Sequence, residues 1–249
     1  MQANTIDEVI RLLEGIVADC EAGNKPHGIF AYVYLHTTRQ VKNGIIEGRF
    51  QDGARMEMLD VIFANRYFQA YEHYRHGKSC AGSWKKTFEA SQSRKLTVLQ
   101  HILLGMNVHI NFDLGIAAID TMPPEKLTEL ESDFFEINSL LAEQINAIQE
   151  KVNAVSPLLF LMDWLGRNND EKFAEFSVKK ARSHAWNAAV RLSKLTPEER
   201  EREITELDNY VTVLTRFITE PGILAGMLVK LVRWFEEKEV KKILEKLRT

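Results

Sequence analysis

An all-α fold is predicted: one bundle of about ten helices spanning residues 1–249, with a single buried helix at its centre. Three observations predict it. All six prolines (Pro26, Pro123, Pro124, Pro157, Pro197, Pro221) fall between stretches of helical periodicity and none inside one, as expected because proline clashes with the preceding helical turn. Most glycines fall in the same gaps, leaving Gly15, Gly105 and Gly115 as the main interior exceptions. No pair of strands can be found.

The first helix opens on Thr5-Ile6-Asp7-Glu8, the spacing of a capping box, and Ile6, Val9, Ile10, Leu13, Ile16 and Val17 then recur at three and four residues. The second, 29–42, contains a β-branched and aromatic run from Ile29 to Leu35 that would suit a strand, but a strand there lacks a partner, so helix is expected. Periodicity gives further helices at 53–76, 83–91, 94–120, 124–153, 157–166, 170–195, 197–219 and 222–248. Thr196-Pro197-Glu198-Glu199 is a clear start, with proline at the first helical position and acids at the positive end of the helix dipole. The last helix is amphipathic: from Met227 to Thr249 seven basic and four acidic residues surround an apolar stripe that includes Leu228, Leu231, Phe235, Ile243 and Leu247. It is expected to pack on its own domain, or else to extend and dock on a partner or a membrane surface. No repeat and no low-complexity linker divides the chain, so one domain is expected.

Hydrophobic residues make up 45% of the 249, ample for a large core, and the net charge of −3 is spread evenly along the chain. That balance argues against a nucleic-acid partner held by a strong positive field. Two cysteines, Cys20 and Cys80, make no disulfide scaffold. The start, Met1 to Val9, lacks the apolar core of a secretion signal, and no apolar run approaches the roughly 20 residues of a bilayer span, so a cytoplasmic protein without a transmembrane segment is expected. Glycine-rich phosphate loops, G-x-S-x-G, H-E-x-x-H, C-x-x-C and the Glu-x-x-His pairs of di-iron bundles do not occur. Glu72 with His73 and His76 reads as a solvated helix end.

Residues 98–119 are apolar on every side, the pattern of a helix buried at the centre of a bundle. Gln100, His101, Asn107, His109, Asn111 and Asp113 are set into it. Each polar group buried without a partner costs about 1–3 kcal/mol, so the set requires a network, water, a metal or a ligand. At about 100° per residue, Gln100, Asn107 and Asn111 share one face, and His109 and Asp113, one turn apart, share roughly the opposite one. The latter two can meet as a hydrogen-bonded pair or as two ligands of one ion. His101 lies about 12 Å along the axis from His109, too far to join that ion. Gly105 and Gly115 would let a neighbouring backbone or a bound molecule approach closely. From other helices, Asp60 falls in the stripe of Met56, Leu59, Phe63 and Tyr67; Asp133 and Asn138 flank the stripe of 124–153; and His184 falls in the stripe of Phe173, Ala181, Ala188 and Leu195, with Trp186 pointing aside. Arg66 and Arg182 are available as ion-pair partners or anion anchors.

The core Leu104-Gly105-Met106-Asn107, x, His109-Ile110-Asn111, x, Asp113-Leu114 resembles that of an uncharacterised bacterial family, a domain of unknown function. The likeness takes in Leu59-Asp60, Phe63-Ala64, Tyr67, Trp84, Phe88, Asp133-Phe134 and Asn138, covering about residues 29–150. It implies that Asp60, His101, Asn107, His109, Asn111, Asp113 and Asp133 form one related set, and it implies no substrate.

The functional expectation is a metal-dependent hydrolase. His109 and Asp113 are its candidate catalytic pair, and His109, Asp113, Asp60 and His184 its candidate ligands to a divalent ion, zinc first, that makes hydroxide from bound water. A metal-free general base with its orienting carboxylate is the variant of this reading. His101, Asn107, Asn111, Asp133, Asn138 and Tyr67 are candidate contacts to a small-molecule substrate or ligand. The alternatives are a non-catalytic binder of an apolar small molecule and a purely structural polar core with a partner-binding last helix.

Overall fold

In the computed structural model, which describes residues 1–156 and 178–248, four helices lead up to the central element: α1 (Ile6–Ala22), α2 (His27–Ile46), α3 (Gly53–Arg75) and α4 (Gly82–Ser91). The Thr5 hydroxyl caps α1 by accepting from the Glu8 N–H, while the Glu8 carboxylate accepts from the Asn4 N–H and not from Thr5, so only half of the expected capping box forms. The Ile29–Leu35 run lies inside α2, and no strand occurs among the described residues.

Thr97 starts the central element. Its hydroxyl accepts from the Gln100 N–H at 3.2 Å, and the Gln100 side-chain oxygen accepts from the Thr97 N–H at 2.9 Å, a reciprocal cap that fixes the start at Val98 and not at 94 as the periodicity predicts. From there α5 (Val98–Val108), a π-helical turn (His109–Asp113) and α6 (Leu114–Thr121) form one rod of 24 residues. By length and composition this rod could cross a bilayer, which corrects the expectation that no apolar run approaches that length; 78% of its most apolar window is buried within the fold. The two interior glycines admit neighbours: a Cβ at Gly105 would stand 2.1 Å from Cγ of Phe30, and one at Gly115 2.7 Å from the Ala185 carbonyl.

A 3-10 segment (Pro124–Leu130) precedes α7 (Glu131–Val155), so the expected helix 124–153 is divided near its start. The expected helix 157–166 and the first turns of 170–195 lie outside the described residues. After them come α8 (Val178–Leu192), α9 (Pro197–Thr219), α10 (Ile223–Phe235) and α11 (Val240–Arg248). The single helix expected over 222–248 is thus two. Glu236 leaves helical geometry, and its buried carboxylate accepts from the Val98 N–H (3.1 Å) and the Ser156 hydroxyl (2.6 Å), capping the rod; the Asn24 side chain accepts from the Val240 N–H (2.9 Å) where α11 begins. Val240, Ile243, Leu244 and Leu247 of α11 are all buried.

Candidate functional site

The π-helical turn carries both candidate catalytic residues. Its wider i→i+5 winding is recorded in the bond from the Leu114 N–H to the His109 carbonyl, and π turns of this kind concentrate at functional sites. His109 Nδ1 lies 3.2 Å from Asp113 Oδ2. The same oxygen accepts from the Trp84 indole N–H at 2.8 Å, and Oδ1 accepts from Arg66 Nε at 3.2 Å. A carboxylate can only accept, so His109 donates from Nδ1 and keeps a lone pair on Nε2. Burial pushes the His109 pKa below the usual histidine value, with Asp113 pulling the other way, so the ring is neutral.

Around the ring stands an aromatic cage. Phe63 stacks on it with centroids 3.6 Å apart, Tyr34 meets it edge-on at 4.4 Å, and Tyr67, Phe30 and Trp84 complete the wall. His109 Nε2 is buried in this cage without a hydrogen-bond partner. Asp60 Oδ2 on α3 is likewise buried without a partner, and Tyr34 Oη and Thr38 Oγ1 on α2 find none but each other. Burial raises the Tyr34 pKa well above the usual tyrosine value, and the Asp60 and Asp113 carboxylates add to the shift, which places both within electrostatic reach of Tyr34, while the Thr38 hydroxyl opposes it. Burial, with Glu57 adding to it, pushes Asp60 up to about 7. Two polar atoms, His109 Nε2 and Asp60 Oδ2, are thus buried with no partner at all, and an orphan of this kind requires an explanation.

The opposite face of the rod has none of this tension. Gln100 Nε2 donates to the Ile218 carbonyl (2.7 Å), Asn107 Nδ2 to the Val211 carbonyl and Thr215 Oγ1, and Asn111 Nδ2 to Asn107 Oδ1. Helix α9 answers that face, which is a structural network. Asp133 is also structural: its oxygens accept from the Gln51 and Asp52 N–H groups and from Arg55 Nη2, tying α7 to the start of α3. Asn138 is half-buried with Oδ1 unpaired, away from His109 on α7. His184 corrects the sequence reading outright. It is exposed and lies with Asn111, Arg191 and Glu203 along a separate surface groove, while Trp186, expected to point aside, is buried against Phe134.

Tyr67 leads to a second feature, and His101 lines a smaller crevice next to it with Ile29, Val98 and Arg233. Tyr67 Oη bonds His27 Nε2 at 2.6 Å, and His27 stacks on Tyr71. His27 reaches a surface cleft of about 610 Å³ floored by Tyr71, Tyr74 and Phe88 and rimmed by Lys25, Arg75 and Arg94, with no carboxylate in the lining. Tyr67 and Phe30 each pack against both His27 and His109, between this cleft and the cage. Burial lowers His27 to about 3 and His101 to about 4, so both are neutral. Tyr34, Thr38 and His27 escaped the sequence reading: the first two sit in or beside the run that looks like a strand, and His27 precedes the helix start expected at 29.

The donor set does not fit the expected zinc ion. Both Asp113 oxygens already face N–H donors, one of them a guanidinium whose charge opposes a cation, and a zinc centre needs three or four protein ligands. Among the described residues no three His, Cys, Asp or Glu side chains converge on a common point.

A family model described as a family of unknown function (DUF5995) matches residues 6–221. No curated protein and no solved structure matches the chain. The match extends beyond the span of 29–150 over which the resemblance was traced, and it likewise carries no reaction.

Proposed function

We propose, for a chain that belongs to the DUF5995 family over most of its length, a buried acid–base centre in which His109 is a metal-free general base. The observation that carries the reading is His109 Nε2: a lone pair fixed by a carboxylate on the other ring nitrogen and left without a partner in a dry cage. That is the arrangement a general base needs, since Asp113 sets the tautomer and stabilises the imidazolium once it forms. Hydrolysis is the reaction class. Nε2 takes a proton from water as its oxygen adds to an acyl carbon; the tetrahedral intermediate then collapses, its bond to the leaving group breaks, and the imidazolium gives that group the proton, leaving the carboxylic acid and the protonated leaving group. Tyr34, its pKa held high, stays protonated as a donor to the developing oxyanion. The cleft at His27 is the entrance, and its basic rim and aromatic floor suit an acyl compound with an aromatic or apolar body and an acidic group.

Two measurements test this. Long-range 1H–15N spectra should find the His109 proton on Nδ1 near neutral pH; a proton resident on Nε2 ends the proposal. Chelator-treated protein should turn over short aryl esters or anilides bearing a carboxylate, and His109→Gln should not. Turnover that chelation abolishes and zinc restores would return the reading to a metal centre. Binding of such compounds at the His27 cleft, unchanged in His109→Gln and without turnover, would favour the non-catalytic reading.

A further inference from the structure

Ile223, Met227, Leu231 and Trp234 of α10 follow one another at four, four and three residues, and they are 86, 65, 45 and 79% exposed. Spacing of that kind puts them on one face of the helix. Phe235 extends the patch at 59% exposed, while Val229 and Val232 seat the other side of α10 in the fold. Beside this stripe runs a groove of about 760 Å³ whose walls include Ile223 and Trp234, with Arg94, Lys95, Lys230 and Lys238 among them. The one carboxylate in that lining, Glu220, is engaged by Arg216 at 3.5 Å. Lys95, Lys230 and Lys238 are exposed and form no ion pair among the described residues. The helix begins just past residue 221, where the family match ends.

We propose that α10 docks this protein on an anionic lipid bilayer. At 13 residues the helix is too short to span one and is suited to lie in the interface plane. An apolar stripe ending in an indole, edged by unpaired lysines, meets the acyl boundary with one side and the lipid phosphates with the other. Charge selects this occupant over a protein: Arg94, Lys95, Lys230 and Lys238 line the groove against one carboxylate, Glu220, that is already paired, which fits a surface that is uniformly negative. The inference stands apart from the acid–base proposal, because neither His109 nor the His27 cleft contributes to it.

The test is co-sedimentation of the full chain with vesicles of phosphatidylcholine alone and of phosphatidylcholine with about a third phosphatidylglycerol. Binding is expected to the second and not the first, weakening as salt rises, and falling roughly tenfold or more in Ile223→Ser/Trp234→Ser and in Lys95→Glu/Lys230→Glu. These side chains are exposed, so unchanged melting will certify that the variants are folded. Failure to bind anionic vesicles, or binding that ignores both double substitutions, overturns the proposal. So does a dimer, detected by light scattering, that Ile223→Ser/Trp234→Ser dissolves, since the stripe would then belong to a second copy.

Discussion

Asp113 and His109 share one hydrogen bond, yet removing each side chain should cost very different amounts. Asp113→Ala strips acceptors from the Trp84 indole N–H, the His109 Nδ1–H and the Arg66 guanidinium. Arg66 is 27% exposed and can turn to water, but Trp84 and His109 are 1% and 3% exposed and cannot. Two buried donors left unsatisfied at about 1–3 kcal/mol each give a loss of about 2–6 kcal/mol. His109→Leu loses the bond to a charged acceptor, about 1.5–3 kcal/mol, and the stacking on Phe63, about 1 kcal/mol, but it also removes the orphaned Nε2, which recovers about 1–3 kcal/mol. The net loss should lie between about 0 and 3 kcal/mol, centred near 1. Urea titration of both variants checks this. A midpoint loss for His109→Leu as large as that for Asp113→Ala would mean that both ring nitrogens are answered in the native state, and the general-base reading would lose its foundation.

The cage also predicts a pH effect. Asp60 has a folded pKa of about 7 against an ordinary value near 3.8, so the folded state holds its proton more tightly than the unfolded chain; the associated stability is full below about pH 4, declines as pH rises, and is gone above about 7. Asp60→Asn should therefore be more stable than wild type at pH 8 and not at pH 4, with the difference between the two melting curves isolating Asp60 from the histidines, whose lowered pKa values act in the opposite direction; parallel curves would contradict the burial of an unpaired carboxyl. Truncation after Phe235 removes four buried apolar side chains at about 1.5–3 kcal/mol each, comparable with the whole stability of a domain, together with the Glu236 cap, and should abolish cooperative melting by calorimetry. Gly115→Ala presses a methyl group against the Ala185 carbonyl and should cost about 1–3 kcal/mol; an unchanged melting temperature would show that α8 can withdraw at no cost.

What the sequence disclosed and what it withheld separate along a physical line. Periodicity is a property of one helix, so the all-helical class, the buried rod and the division of its polar residues between two faces were all legible, because residues four apart on the rod do meet: His109 with Asp113 and Asn107 with Asn111. Which face would be answered depends on neighbours that no helix encodes by itself. Helix α9 supplies carbonyls and Thr215 to the amide face, whereas α2, α3 and α4 bring mostly rings to the imidazole. The reading of His184 failed for the same reason. Its stripe ran through Phe173, Ala181, Ala188 and Leu195, and α8 does turn Ala181 and Ala188 inward, but Arg182, Ala185, Trp186, Ala189 and Leu192 complete the buried face, and the small side chains allow the close approach at Gly115. The buried face is thus centred on the Ala185 and Trp186 side of the helix, and His184 is left exposed at its edge. The π turn was out of reach altogether, since a single i→i+5 bond leaves no signature in the order of residues. That turn and the cage are what the proposed acid–base centre rests on. The amides of the other face are paired, and the two hydroxyls on α2 have each other, whereas the rod holds the imidazole by one nitrogen and leaves the other without a partner among buried rings.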